Sequence, residues 1–147
     1  MKSNITGRTT TVIDAPREEV WEALTNPDII KQYFFGTHAI SDWKKGSSLI
    51  FKGEWEGKTY EDKGTILEID PGRLLKYNYW GSMSGIEDKP ENYADITYWL
   101  TETIHGTKLT ITQENIPDEK MKAHSEQNWN KVLNNLKNLL EKKAATV

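Results

Sequence analysis

Apolar and polar positions along this chain change their period once near each end. From Ile5 past Leu109 the apolar residues mostly alternate, in short runs broken by turn residues, with one early helical interruption. After Pro117-Asp118 the pattern switches. Met121, Ser125, Trp129, Val132, Leu133, Leu136, Leu139 and Leu140 recur at spacings of one, three and four, which draws a single stripe along a long helix. The opposite face carries lysine, asparagine and glutamate. A sheet and one long amphipathic helix bury their apolar faces against each other.

Residues 5–13 are rich in threonine and β-branched side chains and read as the first strand. Asp14-Ala15-Pro16 ends it. Proline suits the start of a helix, and Glu18 and Glu19 sit in the first turn, near the positive end of its dipole. Val20, Trp21 and Leu24 follow at helical spacing. Asn26-Pro27-Asp28 opens a second short helix, with Ile29, Ile30, Tyr33 and Phe34 on its apolar side and Gly36 at its end.

A meander of strands comes next. Residues 48–55 alternate Leu49, Phe51 and Gly53 against Ile50, Lys52 and Glu54, and Glu56-Gly57 turns the chain. Residues 59–70 form a longer strand with Tyr60, Asp62, Gly64 and Ile66 on one face. Pro71-Gly72 is a strong turn dipeptide. Residues 73–80 place Leu75, Tyr77 and Tyr79 on one face. Residues 81–92, with two glycines, a proline and several charges, read as a mobile loop. Residues 93–104 then alternate Ile96, Tyr98 and Leu100 against Asp95, Thr97 and Thr101. His105-Gly106 makes a hairpin into residues 108–115, where Leu109, Ile111 and Gln113 share a face. If the sheet curls, the helix lies in its concave side and these faces point at it. Any gap left between the two is a site for a small apolar ligand.

The chain has 147 residues and a formal net charge of −3, from 19 basic and 22 acidic side chains. That length suits one domain, residues 1–147, with a real core. The charge gives no reason to expect nucleic acid or an anionic membrane as partner. The absence of cysteine removes disulfides, thiolate metal sites and a cysteine nucleophile. The N-terminal residues lack the apolar stretch of a signal peptide, and no apolar run approaches a membrane span. A cytoplasmic location is therefore expected. No glycine-rich phosphate loop and no nucleophile-elbow serine is present.

Several stretches resemble a known family. Asp14-Ala15-Pro16 followed by Val20 through Pro27 resembles the opening signature of the activator of heat shock protein 90 ATPase homologue family, within the START-like (SRPBCC, polyketide cyclase) superfamily. Gly64 through Pro71, Gly106 through Thr112 and Trp129 through Leu136 match further parts of that pattern, in order. The resemblance implies an α+β helix-grip fold: a curved antiparallel sheet wrapped around a long C-terminal helix, with two short helices after the first strand and a cavity between. It also implies a choice of functions, since relatives include co-chaperone domains, lipid and hormone carriers, and cyclases or aromatases.

The candidate chemistry is sparse. His38, His105 and His124 are scattered, and none has a helical partner histidine or a carboxylate pair at metal spacing. No metal or cofactor is expected. His105 reads as a solvated turn residue, and His124, one position from the stripe residue Ser125, as surface, with a place at a pocket rim as the alternative. Asp62, if its face is concave, is a carboxylate in an apolar cavity, which requires a raised pKa or a partner. Gln113 faces inward by parity, and a buried amide needs partners, either a tyrosine hydroxyl or a ligand. Tyrosines join an apolar ring to a polar tip, and a row of buried hydroxyls at Tyr77, Tyr79 and Tyr98 needs a reason.

The expected site therefore comprises Phe51, Asp62, Ile66, Tyr77, Tyr79, Tyr98, Gln113 and Trp129, binding a small hydrophobic or aromatic molecule without catalysis. A chaperone-associated stress-response module is one alternative. An enzyme of the cyclase or hydrolase kind, with Asp62 or a tyrosine as acid or base, is another. The expected assembly state is a monomer or weak homodimer.

Overall fold

The computed structural model describes residues 4–82 and 85–145. Strand β1 (Ile5–Ile13) leads into helix α1 (Arg17–Thr25), whose Val20, Ala23 and Leu24 are buried. Asn26 then caps helix α2 (Pro27–Tyr33), its side chain accepting from the Asp28 amide at 3.0 Å. That bond satisfies one of the amides that a helix start leaves unpaired. Tyr33 ties the two short helices together by donating to the Ala23 carbonyl at 2.8 Å. Phe35 and Gly36, both at positive φ, reverse the chain after α2.

Six further strands follow: β2 (His38–Ser41), β3 (Ser48–Trp55), β4 (Lys58–Asp70), β5 (Leu74–Tyr79), β6 (Ala94–Thr103) and β7 (Gly106–Ile116). They form one antiparallel sheet in the order β1-β7-β6-β5-β4-β3-β2. The expected meander is therefore present, with the four-residue edge strand β2 as an addition to the sequence reading. The β3–β4 hairpin turns at Glu56 and Gly57, both left-handed, which matches the strand twist. At Gly64 the Asn78 carbonyl comes so close that a Cβ would sit 1.7 Å from its oxygen. Only glycine admits that approach.

Helix α3 (Glu119–Ala145) begins at Asp118, whose carboxylate accepts from the Met121 amide at 2.8 Å. It packs into the concave face of the sheet, completing the helix-grip arrangement. Along the edge strand β1, α3 supplies the partners that a further strand would have supplied. Glu126 accepts from the Arg8 amide and Glu141 from the Asp14 amide, each at 3.0 Å. Lys137 donates to the Val12 carbonyl at 2.8 Å. Side chains thus cover an edge otherwise open to pairing with another chain.

The core lies beneath the C-terminal part of α3. Val132, Leu133, Leu136 and Leu140 pack there with Ile13, Leu24, Leu75, Leu100, Leu109 and Ile111, all buried. The stripe read from the sequence does not continue as buried surface to the start of the helix. Met121 is 40 % exposed and Ser125 half-buried. The first turn of α3, which carries Met121, is not buried against the sheet.

The segment after β5 also differs from a loose loop. Trp80 donates from its indole to the Ile86 carbonyl at 3.0 Å, and Lys63 lies over the Trp80 ring. Lys63 and Tyr93 both reach Asp88, each at 2.6 Å. A 3-10 turn at Pro90–Asn92 brings the chain back into the sheet. Met83 and Ser84 of this segment lie outside the described residues.

Candidate functional site

Between the N-terminal turns of α3 and the sheet, a cavity of about 720 Å³ opens. One wall is aromatic. Phe34, Phe35 and Phe51 come from the end of α2 and from β3, and Tyr60, Tyr79 and Trp80 from β4, β5 and the residue after it. Phe34 stacks on Phe51 with ring centroids 6.0 Å apart, and Phe51 touches Tyr79 at 5.9 Å. The opposite wall is α3 itself, through Met121, His124, Asn128 and Lys131. The last three are spaced i, i+4, i+7, so they share one helix face.

Antiparallel register brings the polar groups together. Phe51 pairs with Asp62 across β3–β4, and Ile96 with Gln113 across β6–β7. Asp62 is half-buried and well supplied with donors. The Tyr79 hydroxyl donates to its Oδ2, while the Ser82 amide and hydroxyl donate to Oδ1 at 2.8 and 3.2 Å. Burial, reinforced by the negative charge of Asp62, holds the Tyr79 hydroxyl well above its ordinary pKa. Tyr79 is therefore a neutral donor to Asp62 at physiological pH, and the pair is a fixed polar edge beside an aromatic wall. Tyr60 is satisfied in the same manner, its hydroxyl 2.5 Å from that of Thr37.

Gln113 stands at the other end of the cavity. Its Oε1 accepts two bonds, from the Ser125 hydroxyl at 2.8 Å and the Trp129 indole at 2.9 Å. The partner expected for this amide was a tyrosine hydroxyl or a ligand. Its oxygen is instead taken by α3, because Ser125 and Trp129 are one turn apart on the face that meets β7.

The eight residues expected to form the site divide evenly. Phe51, Asp62, Tyr79 and Gln113 line the cavity. Ile66, Tyr77, Tyr98 and Trp129 are buried behind it in the packed core, at 1, 2, 7 and 7 % exposure. The buried hydroxyls of Tyr77 and Tyr98 answer each other across 2.7 Å. Burial pushes both phenols well above their ordinary range. Trp129 packs edge-on against Phe34, which lines the cavity, and against Tyr98.

The sequence reading left out Phe35, Thr37, Asn128 and Lys131. His124, read as surface with a place at a pocket rim as the alternative, is exposed and lines the cavity. The i, i+4, i+7 spacing of His124, Asn128 and Lys131 was the available signal. His105 is exposed in the β6–β7 turn, as expected. Among the described residues no group of three or more histidine, aspartate or glutamate side chains could hold a metal ion. None of the described helices is long and apolar enough to cross a membrane.

The model of the family described as Activator of Hsp90 ATPase homolog 1-like protein matches residues 14–141. The chain belongs to this family. Solved structures share the architecture. The solution structure of ChR145 from Cytophaga hutchinsonii is 48 % identical, with 99 % of each chain covered and a TM-score of 0.85. The Aha1 dimer from Colwellia psychrerythraea is 20 % identical over 93 % of this chain and 96 % of its own, with a TM-score of 0.74. DynU16, from the dynemicin biosynthetic locus, is 21 % identical over 95 % of this chain and 48 % of its own, with a TM-score of 0.79. The latter two likenesses bear on fold alone. No curated protein matches the chain at a significant level. Within the Activator of Hsp90 ATPase homolog 1-like family, then, this chain combines the helix-grip fold with a wide cavity between sheet and helix.

Proposed function

We propose that this chain binds a small apolar or aromatic molecule in the cavity between the sheet and the first turns of α3, without catalysis. The observation that carries this reading is the cavity itself: about 720 Å³, one wall built from Phe34, Phe51, Tyr79 and Trp80. That volume suits a drug-sized molecule. A well-packed interior leaves few voids larger than a water, so a gap of this size is a departure that a ligand would explain. The polar groups at its edge support binding more than chemistry. Asp62 is occupied by Tyr79 and Ser82, and a carboxylate already accepting three bonds is a poor general base.

The test is a cavity-filling substitution. Ala94, on β6, lines the cavity and is 8 % exposed. The uncharged dye Nile red should bind the native protein saturably at one site, and Ala94→Trp should reduce that affinity at least about tenfold. Dye binding that is absent, or untouched by this substitution in a folded protein, would remove the basis for the reading. A co-chaperone role is the second reading, favoured by the family match over residues 14–141. Stimulation of a purified heat shock protein 90 ATPase by this chain would support it.

A further inference from the structure

We infer that Gln113 is the ligand's polar anchor, donating from its amide nitrogen to a neutral carbonyl oxygen on an otherwise aromatic molecule. This rests on the cavity reading above. The orientation of the amide is decided by its neighbours. Trp129 presents an indole N–H, which can only donate, and it lies 2.9 Å from one terminal atom of Gln113. That atom must be the oxygen. Ser125 donates to the same oxygen at 2.8 Å. With Oε1 held by two groups on α3, the amide plane is fixed and Nε2 is left at the cavity wall. Among the described residues it has no hydrogen-bond partner.

The rest of the lining narrows what Nε2 meets. The acceptors of Asp62 at the far edge are already supplied. The amide nitrogen of Asn115, next along the wall, is committed to the Glu91 and Tyr93 carbonyls, both at 2.9 Å. Gln113 is therefore a positioned donor waiting for an acceptor, in a cavity whose other wall is aromatic. The charge of that acceptor follows from the lining as well. Glu54, Asp62 and Glu91 face the cavity with negative charge, against Lys131 and the titratable His124. An anionic head would be repelled more than attracted at neutral pH. A ketone or ester oxygen meets the donor at no such cost.

A site built to hydrogen-bond a group rejects the analogue lacking it more sharply than an apolar pocket sorts by size. The matched probes are 9-fluorenone and fluorene, rigid planar molecules that differ by one carbonyl oxygen. Equilibrium dialysis at pH 8 should show fluorenone binding about tenfold tighter than fluorene. Gln113→Glu keeps an acceptor for Trp129 and Ser125 but replaces the donor by a carboxylate oxygen, so the preference should vanish or reverse. Equal binding of both probes to the native protein would overturn the anchor and leave the cavity reading standing. A preference that survives Gln113→Glu would overturn it too, by placing the donor elsewhere. Failure of both probes to bind would count against the cavity reading, and the anchor would fall with it.

Discussion

The space beneath α3 has two halves that the same helix builds in opposite ways. Toward its C-terminus, Val132, Leu133, Leu136 and Leu140 are buried against the sheet in the packed core. Toward its N-terminus, Met121, His124 and Asn128 face a cavity of about 720 Å³. The helix spacing is the same in both, and so is the alternation of the strands below. What differs is the side chain offered at each turn: branched aliphatics where the layers close, polar or flexible groups where they part. Trp129 and Gln113 stand at the boundary, joined at 2.9 Å. Packing of the closed half holds the fold, which leaves the open half without the same demand for close packing.

The sharpest way to break this comparison is to cut the stripe on either side of the boundary. Trp129→Ala removes a ring that is 7 % exposed, packed on Phe34 and Tyr98 and bonded to Gln113. It should cost about 3–5 kcal/mol of stability in urea denaturation. Met121→Ala, eight residues earlier on the same stripe but 40 % exposed, should cost less than about 1 kcal/mol. Similar losses at the two positions would mean that the first turns of α3 are packed as tightly as the rest.

This division also marks what the sequence could reveal. Alternation fixes which face a strand residue takes, so the inward placement of Phe51, Asp62, Tyr79 and Gln113 was legible. So was the helix-grip order, because turn dipeptides separate strands of opposite parity. Helical spacing gives the direction of a side chain around α3 but not its height above the sheet. Met121 and Leu136 therefore look alike in sequence while one rims a cavity and the other fills the core. The pairing of the Tyr77 and Tyr98 hydroxyls depends on the register of β5 against β6, which one sequence does not display. Strand β2 was missed because four residues at a sheet edge carry too short an alternation. Phe35 and Thr37 reach the cavity through a left-handed reversal at Phe35 and Gly36, a backbone state that a phenylalanine does not announce.

A smaller effect should separate the hydroxyls of the two halves. Tyr98→Phe leaves the Tyr77 hydroxyl without its 2.7 Å partner in the buried interior. The expected loss is about 1 kcal/mol of stability, with dye binding in the cavity unchanged. Tyr79→Phe deprives Asp62, at the cavity edge, of a donor, so it should alter ligand affinity as well. If Tyr98→Phe weakened binding while leaving stability intact, the Tyr77–Tyr98 pair would belong to the open half.

The smallest expected effect lies at the rim of the open half and depends on pH. Lys63 and Tyr93 both bond Asp88, and those hydrogen bonds, with Lys63 the stronger influence, hold its carboxyl below the usual range. A carboxyl whose folded pKa is depressed binds its proton more readily in the unfolded chain. Its contribution to stability is thus complete above the unfolded value of about 3.9 and is lost as pH falls through the lower folded value. The site is exposed, so the contribution is small and screened by salt. Thermal unfolding of Asp88→Asn should show a slightly lower Tm than the native protein at pH 7 and low ionic strength. The difference should shrink below pH 4 and disappear once the native carboxyl is protonated. The core beneath Leu133 and Leu136 carries no such group, so its packing should not respond over the same range. A difference between the two proteins that stayed constant from pH 7 to pH 2 would mean that the Asp88 charge does not help to hold the chain over the cavity's rim.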